Sequence, residues 1–119
     1  MQAFARVAKV LGDPTRLRML KMLEGRELCV CHLTERLEMA QSSVSKHLGV
    51  LRRAGLVAPR RSGHWVYYRL EDRPMNADTR RFLELMKVAL NDLPIVCDDK
   101  EWSPEMNSCG SESAQEGGD

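Results

Sequence analysis

The sequence predicts a mainly α-helical domain that carries a single β-hairpin. Apolar residues recur at helical spacing in five separate stretches, whereas residues 56–70 instead alternate around a Ser-Gly turn. Leu, Met and Val supply most of the apolar side chains, and aromatic residues make up only 5% of the chain, which suits a helical core. At 119 residues there is room for one domain and a tail.

The first helix is expected over residues 2–11, with Phe4, Val7, Ala8 and Leu11 on one face. Asp13-Pro14 then reads as a helix start, since Asp caps free N–H groups and Pro fits the first turn. The second helix carries Leu17, Leu20 and Leu23 inward and ends near Gly25. A third helix runs from about Cys29 to Leu37, burying Val30, Leu33 and Leu37, and Glu38-Met39-Ala40 make a tight turn. A fourth runs from about Ser42 to Arg53, with Val44, Leu48 and Leu51 inward and Gly55 placed for a left-handed C-cap.

The hairpin follows, with strands over 56–61 and 64–70 and Ser62-Gly63 as the turn. Pro59 confines the first strand to an edge or a strand end. Val66, Tyr68 and Leu70 alternate with Trp65, Tyr67 and Arg69, so one face packs; Trp65 is read as a packing residue. A last amphipathic helix covers 78–93, with Phe82, Leu85, Met86, Ala89 and Leu93 apolar. The expected division is a domain over 1–93 and an acidic tail over 94–119, mostly disordered from 98. Helix, helix, helix-turn-helix, hairpin, helix is the order of a winged helix-turn-helix.

The formal net charge of +1 conceals a polarised chain. Residues 1–90 hold 17 Lys and Arg against 9 Asp and Glu, a net +8, while residues 91–119 hold 1 against 8, a net −7. Residues 39–70 contain Lys46, Arg52, Arg53, Arg60, Arg61 and Arg69 and no acid, the footprint of a phosphate-binding surface; the competing reading is a solvated basic face. No apolar run reaches the about 18 residues of a membrane span, and the N-terminus lacks a signal-peptide layout, so a cytoplasmic location without membrane contact is expected. The four cysteines (Cys29, Cys31, Cys97 and Cys109) are then expected as reduced thiols. An enzyme is not expected. There is no Gly-rich phosphate loop or carboxylate pair on a plausible cleft, and His32, His47 and His64 lie on separate elements.

Asp13-Pro14-Thr15-Arg16-Leu17, Glu27-Leu28-Cys29-Val30-Cys31, Ser45-Lys46-His47-Leu48 with the 51–57 segment, and Gly63 through Leu70 together resemble the ArsR/SmtB family of metalloregulatory repressors. The resemblance covers about residues 4–92, and the Cys-Val-Cys motif is similar to the arsenic- and cadmium-sensing branches. It implies a homodimer that binds double-stranded operator DNA and is released by an inducer. On the fourth helix Gln41, Ser42, Ser43, Ser45, Lys46 and His47 are candidates to meet bases or phosphates. Ser42 has helix capping as its alternative role. Arg60, Arg61 and His64, at the hairpin tip, are expected to reach the backbone or minor groove. Phe4, Leu11, Phe82, Leu85, Met86 and Ala89 are the dimer-interface candidates, with ordinary core as the competing role.

For the thiols, the resemblance implies As(III) or Sb(III) as inducer, with no organic cofactor. Cysteine is a soft ligand, and a helix N-terminus favours its thiolate. Residues two apart on a regular helix point roughly 200° apart. Cys29 and Cys31 can therefore share an ion only if Cys29 precedes the helix or binding unwinds its first turn. The competing role is that of two small buried residues. Trivalent arsenic prefers three thiolates. The family's third Cys is Thr34 here, its acidic residue after the second Cys is His32, and Cys97, Cys109 or a solution thiol is left to complete the set. Residues 78–93 contain no His, so the family's zinc or nickel site is not expected. A Cd/Pb-type sensor, or a thiol-redox or persulfide-responsive repressor in which Cys29 or Cys31 reacts with Cys97, is the alternative.

Overall fold

The computed structural model describes residues 1–104. Helices α1 (Gln2–Val10) and α2 (Pro14–Met22) are separated by the expected cap: Asp13 accepts hydrogen bonds from the N–H groups of Thr15 at 2.8 Å and Arg16 at 3.2 Å. The helix-turn-helix is α3 (Val30–Leu37) and α4 (Gln41–Arg53), and its turn passes through Glu38 in the left-handed region at φ 55°. Met19, Leu20, Leu23, Leu33, Val44, Leu48, Leu51 and Leu56 form the buried centre that fixes α3 and α4 against α2. Together with the hairpin this is the winged helix-turn-helix that the sequence predicts.

The wing differs from expectation in two ways. Strands β2 (Val57–Ser62) and β3 (Trp65–Leu70) turn through Gly63-His64, one residue later than expected. Gly63 at φ 60° takes the first central position of this two-residue turn, where glycine carries no steric cost. A third strand, β1 (Leu28–Cys29), adds to the free side of β3, pairing Leu28 with Tyr68 and Cys29 with Tyr67. Two residues are too few to show an alternating pattern, so nothing in the sequence marks them. Pro59 lies on β2, which is an edge strand.

The C-terminal part needs the larger correction. The helix expected to reach residue 93 stops at Val88, giving α5 (Ala77–Val88); Ala89 turns extended and Leu90 is left-handed at φ 65°. Pro94 then opens a sixth helix, α6 (Pro94–Glu101), within the stretch expected to be tail. Val96 and Asp99, about one turn apart, share its buried face. The Asp99 carboxylate, 1% exposed, receives Nε of Arg18 at 2.7 Å and Nε of Arg36 at 2.8 Å. Arg26 donates to the carbonyls of Asp99 at 2.8 Å and Trp102 at 2.7 Å. The acidic composition suggested a solvated chain because it could not show that one acid is matched by two arginines on α2 and α3. The folded unit thus extends past residue 93; residues 105–119 of the expected tail, with Cys109, lie outside the described residues.

Candidate nucleic-acid interface and thiol site

The outer face of α4 carries the expected polar set. Gln41, Ser42, Ser45 and Lys46 are exposed, and Ser43 is half-buried. Among the described residues, none of these five makes a side-chain hydrogen bond or ion pair, so their polar groups face solvent. Ser42 does not cap: the N-cap is Ala40, which has no side-chain oxygen to offer. The first N–H groups of α4 are therefore open to an external acceptor, and helix N-termini suit phosphate oxygens. His47 is drawn inward, half-buried, with Nδ1 3.5 Å from a guanidinium nitrogen of Arg16. Arg52, Arg53, Arg61 and His64 are exposed, the last two at the end of the wing.

Arg60 departs from its expected placement. It lies back along β2 and is held by Glu27 through three hydrogen bonds of 2.8–3.2 Å. Its guanidinium also stands over the Tyr67 ring, 5.0 Å from the centroid. The pairing raises the Arg60 pKa and lowers that of Glu27, with the shared hydrogen bonds as the first cause. Arg60 is therefore engaged within the protein, between the wing and the segment that leads into the cysteines.

At the thiols, Cys29 is the N-cap of α3 with extended backbone (φ −85°, ψ 167°), and Cys31 is the second residue of the helix. Of the two arrangements that permit a shared ligand, the fold adopts the one in which Cys29 precedes the helix. The two sulfurs lie 3.0 Å apart. Cys29 is buried and Cys31 half-buried. His32 is oriented as a supporting group: its Nδ1 accepts the Cys29 N–H at 3.1 Å, and its ring meets Tyr67 edge-on at 6.3 Å between centroids. Burial, and then the charge of Arg26, lower the His32 pKa, which favours the neutral ring that this acceptor role requires. Thr34 Oγ1 donates to the Val30 carbonyl of its own helix at 2.8 Å. Among the described residues, no group of three or more His, Cys, Asp or Glu is placed to hold a metal ion.

The dimer candidates divide. Phe4 is 50% exposed and tilted against half-buried Phe82 at 5.2 Å, and Leu85 is 56% exposed. Sequence reasoning missed Val88, which extends this apolar patch on α5. Met86 is buried core, Leu11 packs half-buried against the core, and Ala89 falls just past the end of α5. The Glu27–Arg60 pair and the Asp99 clasp were also missed, since each joins residues more than thirty positions apart. No helix of the described residues is long and apolar enough to cross a membrane.

A family model described as "Bacterial regulatory protein, arsR family" matches residues 13–58. Over 66 residues the chain is 54% identical to "Arsenic resistance transcriptional regulator ArsR1" of Pseudomonas putida, a match spanning 54% of this chain and about half (51%) of that relative's length. Over 69 residues it is 44% identical to "Uncharacterized HTH-type transcriptional regulator MJ1325" of Methanocaldococcus jannaschii, covering 57% of this chain and 78% of the relative. Among solved structures, the homodimeric winged helix-turn-helix DNA-binding domain of Mb0332 from Mycobacterium bovis is similar at TM-score 0.62 and 32% identity, over 73% of this chain and 77% of that one.

Proposed function

Because the chain belongs to the arsR family of bacterial regulatory proteins, we propose that it is a transcriptional repressor that binds operator DNA as a homodimer and releases it when trivalent arsenic or antimony is captured by Cys29 and Cys31. The observation that carries the inducer reading is the convergence of the two sulfurs, 3.0 Å apart, with Cys29 outside the helix. Soft thiolate donors suit a thiophilic centre, and the arsenic-resistance relative supports the same choice. Gln41, Ser42, Ser43, Ser45 and Lys46 form the groove-facing set, with Arg61 and His64 on the backbone beside it. The exposed Phe4, Leu85 and Val88 supply the dimer surface, a face that a monomer would leave in water.

Coupling runs through the sheet in this reading. Cys29 pairs with Tyr67 of the wing, Tyr67 supports Arg60, and Glu27, the residue just before β1, holds Arg60. A ligand seated between the two converged sulfurs pushes on Cys29 and shifts β1, and the wing moves with it. The bound ligand and the DNA-competent wing then oppose one another, and the antagonism is reciprocal.

The test is an anisotropy titration of arsenite into the reduced protein bound to DNA from upstream of its own coding region, beside a Cys29→Ser/Cys31→Ser variant. Release from the wild type alone is expected. A wild type that stays bound overturns the arsenite reading, and cadmium, lead and oxidants are then titrated in the same assay.

A further inference from the structure

Lys21, Thr79 and Asp99 are the buried polar or charged side chains among the described residues, and two of them are matched. Lys21 donates to the Met86 carbonyl and pairs with Glu24 at 2.6 Å, and Asp99 lies between Arg18 and Arg36. Thr79, 5% exposed in the first turn of α5, is not matched. Its N–H is taken by Asn76 Oδ1 at 2.8 Å, but its hydroxyl makes no hydrogen bond among the described residues. Thr34, by contrast, donates its hydroxyl to its own helix. The Thr79 methyl is the branch turned toward Gly55, where an added Cβ would stand 4.0 Å from it. A buried hydroxyl in this state costs stability until an outside group completes it. The little of Thr79 that stays exposed borders a cavity of about 120 Å³.

That cavity lies where α1, the end of α4 and the start of α5 meet. Arg6 of α1, Arg53 at the end of α4, Gly55, Asn76 and Thr79 line it. Both arginines are exposed, and neither makes a hydrogen bond, ion pair or ring contact among the described residues. Arg16, Arg18, Arg26, Arg36 and Arg60 each donate to an acceptor within the protein instead. No carboxylate lines the cavity; Asp78, the acid in the first turn of α5, pairs with Arg81 at 3.6 Å. The N–H groups of Ala77 and Asp78 open the helix ahead of the one that Asn76 caps, and so have no acceptor within it. Two unpaired guanidinium groups, an unmatched hydroxyl and a helix start form a donor set for an oxyanion. Guanidinium donors match phosphate oxygens in pairs. The space holds several waters, and so one tetrahedral group.

We propose that the junction of α1, α4 and α5 binds a phosphoryl group, held by Arg6 and Arg53 and met by the Thr79 hydroxyl. Arg53 ends the helix that carries the groove-facing set, and Arg6 belongs to the helix that carries Phe4 of the dimer surface. A phosphate held by both ties the DNA-reading helix to the dimer helices. A DNA backbone phosphate outside the groove and free phosphate share this chemistry. The DNA source rests on the operator-binding reading above; the free source does not.

The test is a pair of titrations on the full, reduced chain. In the first, inorganic phosphate is added at constant ionic strength and the amide chemical shifts of Ala77 and Thr79 are followed. In the second, DNA from upstream of its own coding region is bound over a series of sodium chloride concentrations. Wild type, Arg6→Gln, Arg53→Gln and Thr79→Val are compared with Lys9→Gln, an equal charge change one turn along α1 and outside the cavity. Thermal melts by circular dichroism are the folding control. Saturable phosphate binding is expected in wild type and Lys9→Gln, weakened by roughly 10- to 100-fold in either arginine variant and by roughly 2- to 10-fold in Thr79→Val. A salt slope lowered by about 1 in both arginine variants assigns the phosphate to DNA, and an unchanged slope assigns it to free phosphate. A wild type without saturable phosphate binding, and with a slope indifferent to Arg6 and Arg53, overturns the site. An equal response to Lys9→Gln, or indifference to Thr79→Val, also overturns it, because either reduces the junction to diffuse surface charge. A wild type that binds phosphate but no DNA overturns the operator reading and leaves the site standing.

Discussion

The two helices of the helix-turn-helix begin in opposite ways. Helix α4 starts at Ala40 with no side-chain cap, and Gln41, Ser42, Ser45 and Lys46 point to solvent. Helix α3 starts at Cys29, whose N–H is capped by His32, whose backbone is paired to Tyr67, and whose sulfur meets that of Cys31. The bare start leaves its first N–H groups open to an external acceptor, and anions suit it. The wired start is finished internally, so a disturbance there is passed to the wing. Under the proposed function, one motif separates contact from control by how each helix is capped.

The contrast fails most directly if the wired end does not control the open one. The Cys29→Ser/Cys31→Ser variant should keep operator affinity and lose at least about 100-fold of the arsenite-induced weakening, the upper part of the usual range of coupling energies. Paired binding curves with and without arsenite measure it, and an unchanged response would break the comparison.

The wired end also depends on α6. Asp99→Asn leaves Arg18 and Arg36 without their buried carboxylate and should cost roughly 2–3 kcal/mol in denaturant unfolding, a figure reduced because both arginines are partly exposed. A loss below about 0.5 kcal/mol would remove the clasp from the argument. The same group sets a pH dependence. Burial alone would raise the Asp99 pKa, but the hydrogen bonds from Arg18 and Arg36 outweigh it and hold the carboxyl below its ordinary 3.8. Its stabilising contribution is therefore complete above the unfolded value and is lost as pH falls through the folded one. Wild type should lose more stability than Asp99→Asn between neutral pH and the region below 3.8.

At the open end, Gln41→Ala should cost about 1–3 kcal/mol on the preferred operator and relax preference at one base pair, whereas Lys46→Ala should weaken all sequences alike and lower the salt slope by about 1. Equal effects of both substitutions across operator variants would show that α4 holds DNA without reading it. The smallest expected effect is at Glu27→Gln. Stability should change by no more than about 0.5 kcal/mol, since the pair is partly exposed, while arsenite-driven release shifts by about 0.5–2 kcal/mol. A change in operator affinity with no change in coupling would return Arg60 to the DNA-contacting set.

The elements that pack through their own periodicity were legible in the sequence. Leu17, Leu20 and Leu23 announce α2, and Val44, Leu48 and Leu51 announce α4. The thiol pair was legible as a constraint, since roughly 200° of helical rotation required Cys29 to leave the helix or the helix to unwind. Features made by distant partners were not. Glu27 and Arg60 meet only once β1 adds to β3, and Asp99 is one acid among several until Arg18 and Arg36 converge on it. The left-handed Leu90 that ends α5 has no glycine to announce it, so the pattern ran on to residue 93.

The position of Cys29 outside α3 has a calorimetric consequence. A sensor that melts a helical turn exposes backbone and apolar side chains, and its loading carries a positive heat-capacity change. Here the sulfurs already converge, and Leu33 and Leu37 stay buried behind them. Loading that shifts β1 without melting α3 should then carry only a small heat-capacity change, so its enthalpy stays nearly the same across temperatures in a calorimetric titration.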